Sequence, residues 1–130
     1  MKITRLTESS AETAAKIDFL LDILHPGHRK LTPEILSEVL SAPGTTVFVA
    51  LSDGGEVAGM LSLLRSRCVL GDKYWIEDVV VDPYFRGHGL GRSLVSSAVE
   101  HLRSAGGGRI ELTSNPTRTA AWKLYLSEYY

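Results

Sequence analysis

Apolar positions along the chain follow two rhythms, one helical and one alternating. Lys2 to Leu6 alternates polar and apolar, which predicts a short first strand. Ser9 or Ser10 can cap a helix behind it, and Ile17, Leu20, Leu21 and Leu24 then form one apolar stripe. His25-Pro26-Gly27-His28 stops that helix. Thr32-Pro33-Glu34 starts another, with a cap, a proline at the first helical position and an acid in the first turn. Ile35, Leu36, Val39 and Leu40 give it an inner face, and Pro43-Gly44 ends it. Thr45 to Leu51 is β-branched and apolar, hence a strand; Ser52-Asp53-Gly54-Gly55 is a hairpin turn. Glu56 to Ser66 is the returning strand, with Gly59 a candidate bulge, and Cys68 to Lys73 is the next turn.

The stretch from Tyr74 to Arg103 organises the rest. Tyr74 to Asp82 is aromatic, apolar and β-branched, the composition of a buried strand, and Asp82-Pro83-Tyr84 ends it. Arg86-Gly87-His88-Gly89-Leu90-Gly91 follows, and a helix begins at once, with Leu90, Leu94, Val95, Ala98 and Leu102 at helical spacing. Gly106-Gly107-Gly108 stops it. Arg109 to Thr113 alternates as a fifth strand, and Ser114-Asn115-Pro116 leads into a last helix carrying Ala120, Ala121, Leu124 and Tyr125 on one face. Antiparallel hairpins followed by strand–helix–strand predict an α/β or α+β sandwich. No repeat or linker divides the chain, so residues 1–130 read as a single domain.

Strand, glycine-rich turn and helix together make an anion site. The first N–H groups of a helix have no internal acceptor and the helix dipole is positive there. Glycine lets a phosphate approach the backbone, and Arg86 and Arg92 add fixed positive charge. The competing reading is a plain tight turn that needs glycine for positive φ. A dinucleotide fold wants G-x-G-x-x-G early in the chain and an acid roughly 20 residues on, whereas this turn sits late with Arg-x-x-Gly-x-Gly spacing. A nucleoside-triphosphate loop wants Gly-Lys-Ser/Thr, whereas this one ends Gly91-Arg92-Ser93.

Composition narrows the classes. Apolar content of 44% and charged content of 22% suit a globular protein, and a net charge of −1 gives no field favouring nucleic acid or an anionic membrane. Cys68 is the only cysteine, so no internal disulfide forms. Met1 to Arg5 lacks the apolar core of a signal peptide and no apolar run nears the ~18 residues of a membrane span. A cytoplasmic location is expected. His25 and His28 lack the further ligands a metal needs, so no metal is expected.

Arg86-x-x-Gly89-x-Gly91 after Val81-Asp82-Pro83, with Ile76 to Val81 before it and Asn115 and Tyr125 after it, resembles the pyrophosphate loop of the GNAT superfamily. The likeness runs from about Val47 to Tyr125. It implies a GNAT-like, mixed but mostly antiparallel sheet flanked by helices, with a V-shaped splay between the fourth and fifth strands. It implies acetyl-coenzyme A as cosubstrate and transfer of an acetyl group to a primary amine by direct attack. Arg86, Gly87, His88, Gly89, Leu90, Gly91 and Arg92 would hold the pyrophosphate. Val79, Val80 and Val81 would run beside the pantetheine arm, and a backbone N–H near Val79 would polarise the thioester carbonyl. Asn115 matches a position that touches that arm; as a plain residue it is a helix cap or turn. Tyr125 matches the family's tyrosine acid; as a plain residue it is a core aromatic. Glu77 is the expected base, acting through water, against the alternative of a salt bridge to a nearby arginine; Asp78 is the weaker candidate. His25 and His28 fall where the family lines its acceptor pocket. The family's Gly-Phe and final strands do not follow Tyr125, and the open fifth strand with Tyr129 and Tyr130 predicts a homodimer. A small-molecule amine is the leading acceptor; a protein or peptide amine, or a non-catalytic acyl-coenzyme A-binding role, are the alternatives.

Overall fold

The computed structural model describes residues 1–105 and the strand 109–111. Nine elements follow one another: β1 (Lys2–Leu6), α1 (Ala11–Leu24), α2 (Pro33–Ser41), β2 (Thr45–Leu51), β3 (Val57–Cys68), β4 (Gly71–Val81), a 3-10 turn (Pro83–Phe85), α3 (Leu90–Ser104) and β5 (Arg109–Glu111). The two N-terminal helices start where capping chemistry puts them. Ser10 Oγ accepts the Thr13 N–H at 3.1 Å and Thr32 Oγ1 accepts the Ile35 N–H at 3.1 Å, with Pro33 opening α2.

The strands form one sheet in the order β1-β2-β3-β4-β5. The first four are antiparallel neighbours; β5 pairs with β4 in parallel, from Lys73–Arg109 to Trp75–Glu111. The helical crossover through α3 makes that parallel pair possible. Among the described residues, Ile76 to Val81 pair only with β3, on the side away from the expected splay. The strand limits also differ from the sequence reading. β3 and β4 run on to Cys68 and Gly71, so Val69-Leu70 is the whole turn and both side chains are exposed. The last two residues of the expected fifth strand, the last helix with Asn115 and Tyr125, and Tyr129 and Tyr130 of the expected dimer contact lie outside the described residues.

Two apolar cores lie on the two faces of the sheet. Phe48, Leu61, Leu63, Tyr74 and Ile76 pack against Leu90, Leu94, Val95, Ala98, Val99 and Leu102 of α3. Val47, Val49, Met60 and Val80 pack against Ala14, Ile17 and Leu20 of α1 and Leu36 of α2. Each large side chain sealed this way contributes about 1.5–3 kcal/mol.

β4 breaks its own alternation. Met60 pairs with Val80 and Ser62 with Glu77, so Asp78 and Val79 together oppose the single residue Leu61. Asp78 takes φ +55°, the only non-glycine residue among those described with positive φ. This is a β-bulge, and it exchanges the faces of everything after it. Strict alternation places Glu77 with Val79 and Val81. Instead Val79 and Val81 join Tyr74 and Ile76 against the α3 core, while Val80 joins the α1 and α2 core. Glu77, next to Ile76, is left on the face of α1 and α2. A second register shift, between Ala50 and Leu51, falls at Ala58 beside Gly59. There a Cβ on Gly59 would stand 3.0 Å from the Val80 carbonyl oxygen and 3.4 Å from Leu94, so glycine lets β3, β4 and α3 close together.

The left-handed residue in the bulge is testable. Left-handed backbone costs a branched side chain about 1–2 kcal/mol. Asp78→Val should therefore lower unfolding free energy by about that amount relative to Asp78→Gly, as read by urea denaturation. Equal stability of the two variants would remove the strain argument.

Candidate active site

The approach to the glycine turn is held by one aspartate, through its carboxylate and its backbone N–H. Asp82 is buried at the end of β4. Its N–H donates to the Ala58 carbonyl at 2.8 Å, Oδ1 accepts the Tyr84 N–H at 2.9 Å, and Oδ2 accepts from Lys16 Nζ at 2.5 Å. Asp82 thereby joins β3, the 3-10 turn and α1. The Lys16 hydrogen bond, opposed by desolvation and helped by the Tyr84 N–H and by the charges of Lys16 and Arg86, holds its carboxyl below the usual carboxylate range.

Behind this anchor the chain turns into α3 without a side-chain cap. Gly89 is the N-cap, with φ +71°, and Gly87 has φ +89°. The first turn carries no acid. A Cβ on Gly89 would meet no protein atom within 4 Å, and Gly89 lines a cavity of about 400 Å³. Val81, Phe85, Arg86, Gly87, Gly89, Leu90, Gly91 and Arg92 line that cavity. The sequence-predicted phosphate residues thus converge, with two differences. Phe85 was not foreseen, and His88 is not among the lining residues. Of the three valines, Val81 reaches the cavity, Val79 packs toward α3 and Val80 is buried toward α1.

Across β4, Asp78 and Ser62 face a smaller apolar cavity of about 120 Å³ between α1, α2 and the sheet, with Ile17, Leu21, Leu36 and Met60 among its walls. The sequence reading gives Asp78 as the weaker base candidate and alternation places it with Ile76; the bulge turns it instead toward this cavity. Glu77 is half-buried and makes no ion pair among the described residues, so the expected alternative of an arginine bridge finds no partner there. His28 braces the link between α1 and α2. Its Nδ1 lies 2.7 Å from the Arg29 carbonyl and its Nε2 3.3 Å from the Asp18 carbonyl, while Asp18 Oδ1 accepts the Leu31 N–H at 2.7 Å. His25 caps α1 through its backbone, the N–H donating to Leu21.

The Lys16–Asp82 pair sets a pH dependence. A carboxyl whose folded pKa is lowered adds stability above its unfolded value, near 4, and loses it as pH falls through the lower folded value. Lys16→Met should cost about 1–3 kcal/mol near neutral pH, because Asp82 stays buried and charged without its main partner. The gap to the unaltered protein should narrow as pH falls below about 4. Thermal melting across that range reads it; a gap independent of pH would exclude the ion pair as its source.

Comparison with known proteins agrees with this geometry. A curated relative, aminoalkylphosphonate N-acetyltransferase of Salmonella typhimurium (strain LT2), is 39% identical over 79 residues, 58% of this chain and 51% of its own length. The chain thus matches about half the length of that relative. N-alpha-acetyltransferase RimI of Mycobacterium tuberculosis (strain H37Rv) is 26% identical over 125 residues, 96% of this chain and 75% of its own. The crystal structure of glucosamine-6-phosphate N-acetyltransferase from Arabidopsis thaliana superposes with a TM-score of 0.76 at 26% identity, covering 95% of this chain and 88% of that one. No described helix is long and apolar enough to cross a membrane. The profile of the acetyltransferase (GNAT) family matches residues 14–127, and with the glycine cradle at the N-terminus of α3 this places the chain in the GNAT acetyltransferase family.

Proposed function

We propose that this chain transfers an acetyl group from acetyl-coenzyme A to a primary amine of a small molecule, by direct attack in a ternary complex. The observation that carries the reading is the uncapped N-terminus of α3, open at Gly89 and flanked by Arg86 and Arg92. Open space beside Gly89, where a Cβ would meet no protein atom within 4 Å, supports the close approach of a phosphate. Backbone N–H groups from Gly87 to Gly91 and the charges of Arg86 and Arg92 would hold the pyrophosphate. Val79, Val80 and Val81 would border the pantetheine arm, with Asn115 as a further contact. The bulge takes Asp78 and Val79 out of regular pairing, which supports a backbone N–H there meeting charge that develops on the thioester oxygen.

The amine nitrogen attacks the thioester carbon, the C–N bond forms and the C–S bond breaks. Glu77, on the α1 and α2 face, takes the amine proton through water, and Tyr125 returns a proton to the leaving thiolate. Asp78 and its apolar cavity lie on that same face, which supports entry of the acceptor from there.

A second reading, a peptide Nα-amine as acceptor, draws on the N-alpha-acetyltransferase relative, which aligns over 96% of this chain. Thiol release against a panel of aminoalkylphosphonates, aminosugars and short peptides decides between them. Turnover confined to peptides selects the second reading, and thiol release with no amine rejects both.

Two sets of variants test the site. Gly89→Val should weaken acetyl-coenzyme A binding by about tenfold or more in calorimetry with the fold retained; unchanged affinity would sink the phosphate assignment. Tyr125→Phe and Glu77→Gln should each lower kcat on the order of 10²-fold with little change in coenzyme affinity. Parallel loss of folding stability and activity would make both residues structural instead.

A further inference from the structure

We infer that a second cavity, at the C-terminal end of α3, is an anion site that takes the phosphoryl group of a small phosphorylated molecule. Its volume is about 400 Å³. Strand register and helix phase bring two arginines and a histidine to its wall: Arg5 from β1, Arg65 from β3 and His101 from α3. Thr46 of β2 and Tyr74 of β4 share the sheet face of Arg5 and Arg65, Thr45 also lines the cavity, and no carboxylate is among the described lining residues. His101 is fixed edge-on against Phe48, with ring centroids 5.7 Å apart. Arg5 and Arg65 make no ion pair among the described residues.

Arg65 Nε is shielded from solvent and has no hydrogen-bond partner among the described residues. A buried donor on a charged group is costly to leave unmade. Serving the carbonyls at the end of α3 would be the ordinary use of cations there. His101 and Arg103 sit in the last turn of α3 and suit that use. Arg65 does not, because its Nε reaches none of those carbonyls. Two permanent guanidinium charges with fork geometry match a phosphoryl dianion better than a single carboxylate. The volume falls in the range of small-molecule pockets and exceeds a lone phosphate, leaving room for an organic body. α3 has 15 residues, so this site lies about 22 Å from the glycine cradle and is separate from it.

The test follows the isotopically labelled chain by NMR during titration with inorganic phosphate and with glycerol phosphate, at ionic strength held constant by sodium chloride. Saturable shifts are expected at the Thr45 and Thr46 amides and the His101 ring. Arg65→Met and Arg5→Met should each weaken that response at least tenfold, while phosphate still moves Gly89 and Gly91 as in the unaltered chain. Arg5 lies on the edge strand β1, so its variant keeps the test open if Arg65→Met does not fold. Tighter binding of glycerol phosphate supports a site for a phosphorylated molecule. Equal binding of the two probes would overturn the organic ligand in favour of the free ion. No saturable response at these residues, or an undiminished one in both variants, would overturn the site itself.

Discussion

A helix that starts without a cap leaves a concentration of unmet N–H groups, and the remainder of this fold is arranged to keep those groups both fixed and open. Most helices close their first turn with their own side chains, as α1 does with Ser10 and α2 with Thr32. α3 starts on Gly89 in left-handed conformation, with no acid in its first turn. Such an end would cost stability if the helix could shift to bury it. Six buried side chains along one stripe prevent that, at about 1.5–3 kcal/mol for each large one. Asp82 fixes the approach from the other direction by tying the end of β4 to β3, to α1 and to the turn that precedes the glycines. The N-terminus of α3 is therefore held on both flanks, by the packing of its buried stripe and by Asp82.

The bulge in β4 has the complementary effect on the strand. One extra residue sends Val79 and Val81 toward α3 and leaves Glu77 and Val80 toward α1 and α2. A regular strand would have put the acid and the two valines on one face. With the bulge, Val81, which lines the cavity at the start of α3, and Asp78, which lines the apolar cavity between α1, α2 and the sheet, stand on opposite faces of β4. At the bulge, between the two faces, the backbone is freed from its ladder.

Local rules made much of this legible. Ser10, Thr32-Pro33 and the stripe from Leu90 to Leu102 marked their helices correctly because capping and helical periodicity act within a few residues. β2 matched at both ends, and Arg86-x-x-Gly89-x-Gly91 located the cavity because positive φ and missing side chains are written in the glycines themselves. The bulge was not legible. Asp78 differs little from a solvent-facing strand residue until β3 counts one residue against two. Nor was the Lys16–Asp82 pair, whose members are 66 positions apart and meet only when α1 lies across the end of the sheet. Asn115 and Tyr125 rest on the family resemblance, with no described geometry beside it.

The two ends of α3 show why the chemistry of a site depends on what the helix end offers. At the N-terminus the backbone supplies donors, so glycines and two arginines suffice and the cavity needs no buried polar side chain. At the C-terminus the helix presents carbonyl oxygens, which repel an anion. Any anion site there has to be made by side chains carried on other elements. Arg5 and Arg65 come from strands. A single helix thus separates a site made of main chain from one made of side chains. Backbone donors resist loss by point substitution, whereas the guanidinium site vanishes with one arginine, so the second site is the one that can be removed without disturbing the first.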